Sequence, residues 1–383
     1  MNMPLNSMIS DHVTAQFYHD LGLSVLVVMG TLVMGAGGWW VSRLIDEKPS
    51  TPAIRTPLAS HGPGYRVLYI GLGLFWILDG VLQLQPAMPN SAFLEMVIAP
   101  LLPGQPHWFI PVLGAGIQTW SNAPIVANLM AVWVQLGIGV LLLVGRNRPW
   151  GRWGLWVSLV WGAMVWTWGE GWGLVLTRYV SWLVGDPGSV LVYMLAAILL
   201  LWPDHKWQSG AVSRWIGWGM AGYWLIGALL QAWPTNIFWK QFSGIFLVAA
   251  QTPQPGWISF PIYQLAAWTA SYSVIANGFV SLGMLVLGLA WFWRPYGLVT
   301  RVATFGTLLL MWWLSQDFGV LGGVGTDPQI APILALVLVA GYRNRQESSQ
   351  GSGNARDTGL PGKIPKRVDH GLNQEVETTG GKA

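Results

Sequence analysis

One carboxylate, Asp79, lies about six residues inside the apolar stretch that ends WILDGVLQLQP at Pro86. An ionised carboxylate at such depth in a bilayer costs roughly 2.5–3.5 kcal/mol on insertion scales, so it must face protein or water. Spacings of three and four put Trp76, Asp79 and Gln83 on one helical face. A second acid, Glu170, stands in WTWGEGWG among Trp166, Trp168 and Trp172, with glycine on both sides. Glycine there permits a sharp turn or a close backbone approach, while tryptophans at a membrane boundary also serve as interfacial anchors. A carboxylate beside a flat aromatic slot can exchange protons with a ring-shaped ligand. The same two acids could instead bind a proton or a cation in transit. Asp79 and Glu170 are therefore the candidate catalytic residues.

The elements that must hold these acids are membrane helices. The composition is 53% hydrophobic with 27 Trp and a mean hydropathy of +0.45, which departs from a soluble domain. Apolar runs near the ~20 residues that cross a bilayer recur along the chain. Nine spans are expected, at 21–41, 65–85, 123–144, 153–172 and 190–202, then at 215–231, 264–293, 302–317 and 330–342. The fifth and ninth are short and are expected to start nearer their Asp-Pro pairs. No Lys or Arg precedes the first span, whereas Arg43, Lys48, Arg55 and Arg66 follow it. The positive-inside rule then places the N terminus outside and the C terminus in the cytoplasm of a multi-pass cell-membrane protein. With nine spans, eighteen of the twenty basic residues fall inside, and only Arg178 and Lys240 fall outside. A different helix count would scramble that sorting.

Several classes of chemistry drop out. Without cysteine there are no disulfides, thiolate metal sites, iron-sulfur clusters or thiol catalysis. His12, His19, His61, His107, His205 and His370 all fall in loops or tails, so facing imidazoles for haem are not expected, and no covalently bound cofactor or metal is predicted. The basic balance lacks the clustered residues and stacking partners of a nucleic-acid footprint.

The chain also repeats itself. WILDGVLQLQP from Trp76 aligns with WLIGALLQAWP from Trp224, GQPHW with PQPGW, VAN ending at Asn128 with IAN ending at Asn277, and RPWG with RPYG. WTWGEGWG then aligns with WWLSQDFG, and GDP at Gly185 with TDP at Thr326; the offset starts at 148 and ends at 141. The expected fold is thus an all-α polytopic membrane protein of one N-terminal helix and two parallel four-helix repeats. Its parts are 1–64 (N-terminal span and inner linker), 65–203 (first repeat), 213–343 (second repeat) and 344–383 (disordered inner tail containing KIPKR). An even number of spans per unit makes the copies parallel. GAGG at Gly35 to Gly38 in the first span would allow close helix packing.

Most of the matched polar residues fall at the outer ends of the helices: Gln83 and Gln231, Asn128 and Asn277, Glu170 with Gln316 and Asp317, then Asp186 and Asp327 opening the fourth helices. An outward-facing pocket follows, with Gln83, Trp76, Asn128, Trp166, Trp168, Trp172, Gln231, Asn277, Gln316 and Asp317 as candidate ligand-binding residues. The Gln and Asn pairs could equally be interhelical hydrogen bonds, and Arg178 is expected to neutralise Glu170. Gln135 is the main deeper polar group. The counterparts of Asp79 and Glu170 are Gly227 and Gln316, so chemistry is expected in the first unit. The loops 86–122 and 234–263 carry apolar runs too short to span, suited to interfacial or re-entrant segments over the pocket.

GLGLFWILDGVLQL, followed by QLGIGVLLLVGRNRPWGRWGLWVSLVWG, resembles the DoxX/DoxD-like four-helix membrane module, here present twice. The resemblance implies a small-molecule or redox-associated membrane subunit, some relatives being linked to thiosulfate:quinone oxidoreductase. The GEGWG and SQDFG ends and the duplication depart from that pattern. The leading expectation is a quinone-interacting subunit working with a partner of a membrane redox complex. A proton- or cation-coupled carrier and a structural scaffold are the alternatives.

Overall fold

The computed structural model describes residues 5–45, 61–146, 148 and 150–357, and every regular element among them is helical. The helices used below are α1 (Asp11–Ile45), α2 (Pro63–Leu82), α3 (Ile110–Asn122), α4 (Pro124–Gly145), α5 (Gly151–Trp168) and α6 (Ser189–Leu201). They are followed by α7 (Ala211–Gln231), α8 (Ser243–Gln251), α9 (Gly256–Ser271), α10 (Ser273–Trp293), α11 (Leu298–Leu314) and α12 (Ile330–Asp357). Four stretches are long and apolar enough to cross a membrane: Asp11–Gly35, Pro63–Leu82, Pro124–Gly145 and Ser273–Trp293. Shorter apolar helices lie at Ser91–Leu101, Ser189–Leu201 and Leu298–Leu314.

The helices mostly follow the expected runs, with two main differences. The run expected as one span over 264–293 is broken between α9 and α10 at Tyr272, whose φ of −130° and ψ of 33° leave the helical region. An equivalent break at Ala123 (φ −151°, ψ 65°) separates α3 from α4; there Pro124 disfavours the helical conformation in the residue before it. The second difference concerns the C-terminal segment, where 344–357 continue α12 rather than lacking structure. Asn344 shows why the helix is held there: it is buried, its Nδ2 donates to the Trp207 carbonyl, and its Oδ1 accepts from Ser213 N. Residues 358–383, with KIPKR, and the basic residues Lys48 and Arg55 lie outside the described residues.

Packing is organised by two close pairs, α2 on α4 and α7 on α10, with α12 lying against α2, α6, α7 and α11. α6 packs on α5 and on α2. The centre is filled by Trp76, Trp224, Trp291 and Tyr193, all fully buried. α1 stands apart on the flank of α4, tied by the Trp133 indole donating to Ser24 Oγ at 2.9 Å. Its Leu26, Val27, Val33 and Met34 are exposed, as suits an apolar helix whose solvent is lipid. At Gly35 a Cβ would meet nothing within 4 Å, so that position of GAGG serves no close packing.

Between α2 and α3 the chain forms a short turn of helix at Ser91–Phe93, a π-turn at Leu94–Ile98 and a 3₁₀ turn at Ala99–Leu101. Together with α3 these pieces cover one end of the α2–α4–α5 group.

Candidate functional site

Under that cover lies a cavity of about 320 Å³. The i, i+3, i+7 face of α2 supplies Trp76, Asp79 and Gln83, α4 supplies Gln135, and α5 supplies Trp161 and Trp168. Glu170 enters from the turn after α5, Phe93 and Trp120 from the cover, and Thr326 and Asp327 from the loop before α12. No Lys, Arg or His is among the lining residues. Of the candidate residues, the structure therefore brings Trp76, Asp79, Gln83, Trp168 and Glu170 together in one cavity.

Asp79 is buried, and the Tyr193 hydroxyl donates to its Oδ1 at 3.4 Å. The Trp76 indole is committed to Ser158 Oγ at 2.8 Å, so Trp76 contributes its ring and not its N–H. Trp168 donates to the Val112 carbonyl of α3, fastening α5 to the cover. Glu170 Oε1 accepts from the Ser189 hydroxyl at 2.8 Å and from the Val190 amide at 3.1 Å, while Oε2 is buried with no partner. Four further atoms of lining residues are buried and unpartnered: Gln83 Oε1, Gln135 Oε1, Trp120 Nε1 and Trp161 Nε1. Such groups each cost about 1–3 kcal/mol when left unsatisfied. Arg178 does not neutralise Glu170; its guanidinium donates to Tyr179 Oη at 3.1 Å and lies over that ring.

The GEGWG segment turns because four successive residues adopt left-handed backbone, Gly171, Trp172, Gly173 and Leu174 at φ of 54°, 55°, 57° and 52°. Gly173 N closes the turn on the Glu170 carbonyl at 2.7 Å. A Cβ on Gly173 would strike the Pro187 backbone, so glycine is required both by conformation and by space. The turn places Glu170 against Gly188, whose absent side chain leaves room for Oε2.

The other candidates lie elsewhere. Trp166 donates to the Pro187 carbonyl and stacks with Trp172, whose N–H reaches Thr167 Oγ1. Asn128 Nδ2 donates to the Gln83 carbonyl at 2.9 Å. Asn277 makes the same bond to Gln231 at 3.2 Å, and here Gln231 Nε2 also donates to Asn277 Oδ1 at 2.7 Å. Gln316 occupies the position that matches Glu170 and accepts from the Ala331 amide, with Nε2 donating to the Leu183 carbonyl. Asp317, in the turn beyond α11, is held up to about 6 by burial, opposed by a hydrogen bond from Thr252. Asp317, Phe318 and Gly319 repeat the left-handed run at φ of 50°, 54° and 69°.

Sequence reasoning did not place Asp327, Gln135, Trp120 or Trp161 among the binding residues. Gln135 was visible as a lone polar residue in an apolar helix, and Asp327 as the acid opening the last helix. Trp120 and Trp161 carry no signal that separates them from the other tryptophans. Among the described residues no group of three or more His, Cys, Asp or Glu is arranged to hold a metal ion.

No family model, no curated protein and no solved structure matches this chain. The DoxX/DoxD likeness thus rests on the quoted helices alone.

Proposed function

We propose that this chain is a nine-span cell-membrane protein, N terminus outside and C terminus cytoplasmic. Its first four-helix unit binds a quinone-type ring in an outward-facing cavity, as a redox-associated subunit of a larger membrane complex. The duplication is supported by paired geometry: Asn128 to Gln83 and Asn277 to Gln231, Trp166 to the Pro187 carbonyl and Trp312 to the Pro328 carbonyl, and the two left-handed turns. The units also exchange loops. The 320s loop supplies Asp327 to the first unit's cavity, and Gln85 Nε2 donates to Gly325 O. The 180s loop reciprocates, with Asn236 Nδ2 donating to Val180 O and Gln316 to Leu183 O.

The ligand reading is carried by the unpartnered atoms. The residues lining one apolar, aromatic cavity carry buried, unpartnered donors, the indole N–H groups of Trp120 and Trp161, and acceptors, on Gln83, Gln135 and Glu170. A quinone carbonyl accepts from an indole, and the corresponding quinol hydroxyl donates to an amide oxygen or carboxylate. Asp79 and Glu170 are the proton acceptors in this reading, with Trp76 and Trp168 as ring walls.

The lack of basic side chains in the lining favours a second reading, a proton- or cation-coupled carrier. A carrier needs a polar route onward, yet the same helices continue below the cavity with buried Leu68, Leu72, Ile138 and Leu142. The test is to purify the protein in mild detergent and identify co-purifying small molecules by mass spectrometry, in wild type and Asp79→Asn together. Quinone retained by the wild type and reduced in the variant supports the reading. Equal amounts in both, or none in either, sinks it.

A further inference from the structure

The second unit carries a groove where α7 begins, α10 ends and α12 runs past both. From the loop that holds Asp327, α12 rises about 1.5 Å per residue, so Arg345 stands at the opposite end of that helix from the cavity. Two adjoining hollows of about 470 and 460 Å³ form the groove, sharing Pro295, Tyr296, Arg345 and Ser349. Arg214 lies on α7, Arg294 in the turn after α10 and Arg345 on α12, all three exposed. No Asp or Glu lines either hollow, and among the described residues no carboxylate makes an ion pair with an arginine. Glu347, two residues beyond Arg345, lines a different hollow with His61 and Asp204.

Tyr296 fixes the shape of this groove. Its φ of 64° turns the RPYG segment sharply, its hydroxyl donates to the Ser213 carbonyl at 2.7 Å, and its ring meets the buried Trp291 edge-on at 5.1 Å. Gly217 lets that turn approach α7, because a Cβ there would already sit 3.3 Å from Pro295. Arg345 Nη1 donates to the Pro295 carbonyl at 2.9 Å, which orients the guanidinium and leaves its remaining N–H groups for a ligand. The lining serines are committed: Ser209, Ser213, Ser348 and Ser349 donate their hydroxyl hydrogens to backbone carbonyls. The guanidiniums are the charged donors that remain, and three of them around one groove without an acid attract an anion. Their planar fork matches the oxygens of a phosphate.

The flank of the groove is aromatic. Trp218 lies four residues beyond Arg214, on the same face of α7, and packs edge-on against Phe292 at 5.3 Å. Both rings are more than half exposed, at 58% and 52%, and Phe292 belongs to the membrane-length stretch Ser273–Trp293. A free phosphate would use the arginines alone, whereas a phospholipid uses the rings as well. The first unit does not repeat the charge pattern. By the sequence matches Arg214 corresponds to Arg66 and Arg294 to Arg148, but Arg345 corresponds to Asp204, which lies 3.2 Å from His61 Nε2. We propose that the groove between α7, α10 and α12 binds the phosphate of an anionic phospholipid, with Arg214, Arg294 and Arg345 on the headgroup and Trp218 and Phe292 along the acyl chain. Basic pockets between membrane helices take such headgroups. This site is separate from the cavity and does not rest on the quinone reading.

The test is native mass spectrometry of the full-length, delipidated protein in mild detergent. Phosphatidylglycerol is added as the anionic lipid, phosphatidylcholine as the zwitterionic control and inorganic phosphate as a competitor. Wild type is expected to retain phosphatidylglycerol over phosphatidylcholine, with affinity falling about fivefold for each arginine lost in Arg214→Gln and Arg345→Gln. Trp218→Ala should weaken retention too, whereas Arg148→Gln, in the first unit, should not. Excess inorganic phosphate should displace little of the lipid. Thermal melting and gel filtration monitor folding; should Arg345→Gln fail to fold, Arg214→Gln, an exposed side chain, carries the test alone. Equal retention by wild type and Arg214→Gln overturns the proposal, as does equal retention of phosphatidylcholine. Full displacement by inorganic phosphate, with no effect of Trp218→Ala, would make the groove a site for a free anion and overturns the lipid assignment.

Discussion

The two Gln–Asn pairs show how nearly identical frames diverge. Around Gln231 the side chains close on each other, Gln231 donating to Asn277 Oδ1 while Asn277 returns a bond to the Gln231 carbonyl. Around Gln83 only the second bond is made, and both Gln83 Oε1 and Asn128 Oδ1 are left without partners. Neighbouring positions diverge in polarity. Asp79 matches Gly227, which is pressed by Trp182; Gln135 matches Met284, an apolar buried side chain; and Glu170 matches the self-satisfied Gln316. Gln231 Oε1 is also buried without a partner, so the frames differ chiefly in that the first gathers its polar groups around a cavity. That gathering of polar groups around one cavity locates the site better than any single acid does.

The comparison is broken most directly at the matched pair 170 and 316. Glu170→Gln removes a charge-assisted acceptor worth about 1.5–3 kcal/mol, so calorimetric titration with a short-chain quinol should show affinity falling roughly tenfold to a hundredfold. Gln316→Glu should leave that affinity unchanged. Equal losses would mean that the two positions serve the frame alike.

Gly227→Ala sharpens it from the other side. The new Cβ would lie 2.6 Å from Trp182 Cδ1, in a wall where Trp182 is 2% exposed. Overpacking of this kind costs typically about 1–3 kcal/mol, which should lower the melting temperature while quinol affinity holds. A variant as stable as wild type would show that the second frame has slack at this point.

Smaller effects are expected at the asparagines. Asn277→Ala strands Gln231 Nε2 as well as the Gln231 carbonyl and should cost about 1–3 kcal/mol, whereas Asn128→Ala loses one bond and should cost about 0.5–1.5 kcal/mol. Denaturation in mixed micelles would rank them, and the reverse order would remove the claim that the second pair is the closed one.

The spacing of polar residues made the α2 face legible: Trp76, Asp79 and Gln83 line the cavity as their periodicity requires. Glycines around Glu170 announced a turn, because two of the four left-handed residues, Gly171 and Gly173, are glycine. Trp172 in the same conformation was not legible, since a bulky residue is normally excluded there. Pro124 signalled the break at Ala123, but Tyr272 breaks its helix with no proline beside it and so read as continuous. Asp327 was visible as an acid and invisible as a cavity residue. Its role depends on a loop crossing from the second unit to the first, and such crossing leaves no trace in local spacing.

The smallest expected effect tests the matched turns themselves. Asp317 stands where the first turn has Gly171, both left-handed, but only Asp317 titrates. Burial lifts its carboxyl to about 6, above the ordinary value near 3.9 for an unfolded Asp. Folding therefore favours its protonated form; this contribution is fully present below about pH 4 and is lost as pH rises through about 6. Asparagine tolerates the left-handed region and carries no charge. Asp317→Asn should therefore match wild type at pH 4 and melt slightly higher at pH 7, by a degree or two given how incompletely the group is enclosed. A difference that does not change with pH would mean that the second turn holds no charge against burial. The acids that distinguish the two frames would then be confined to the cavity.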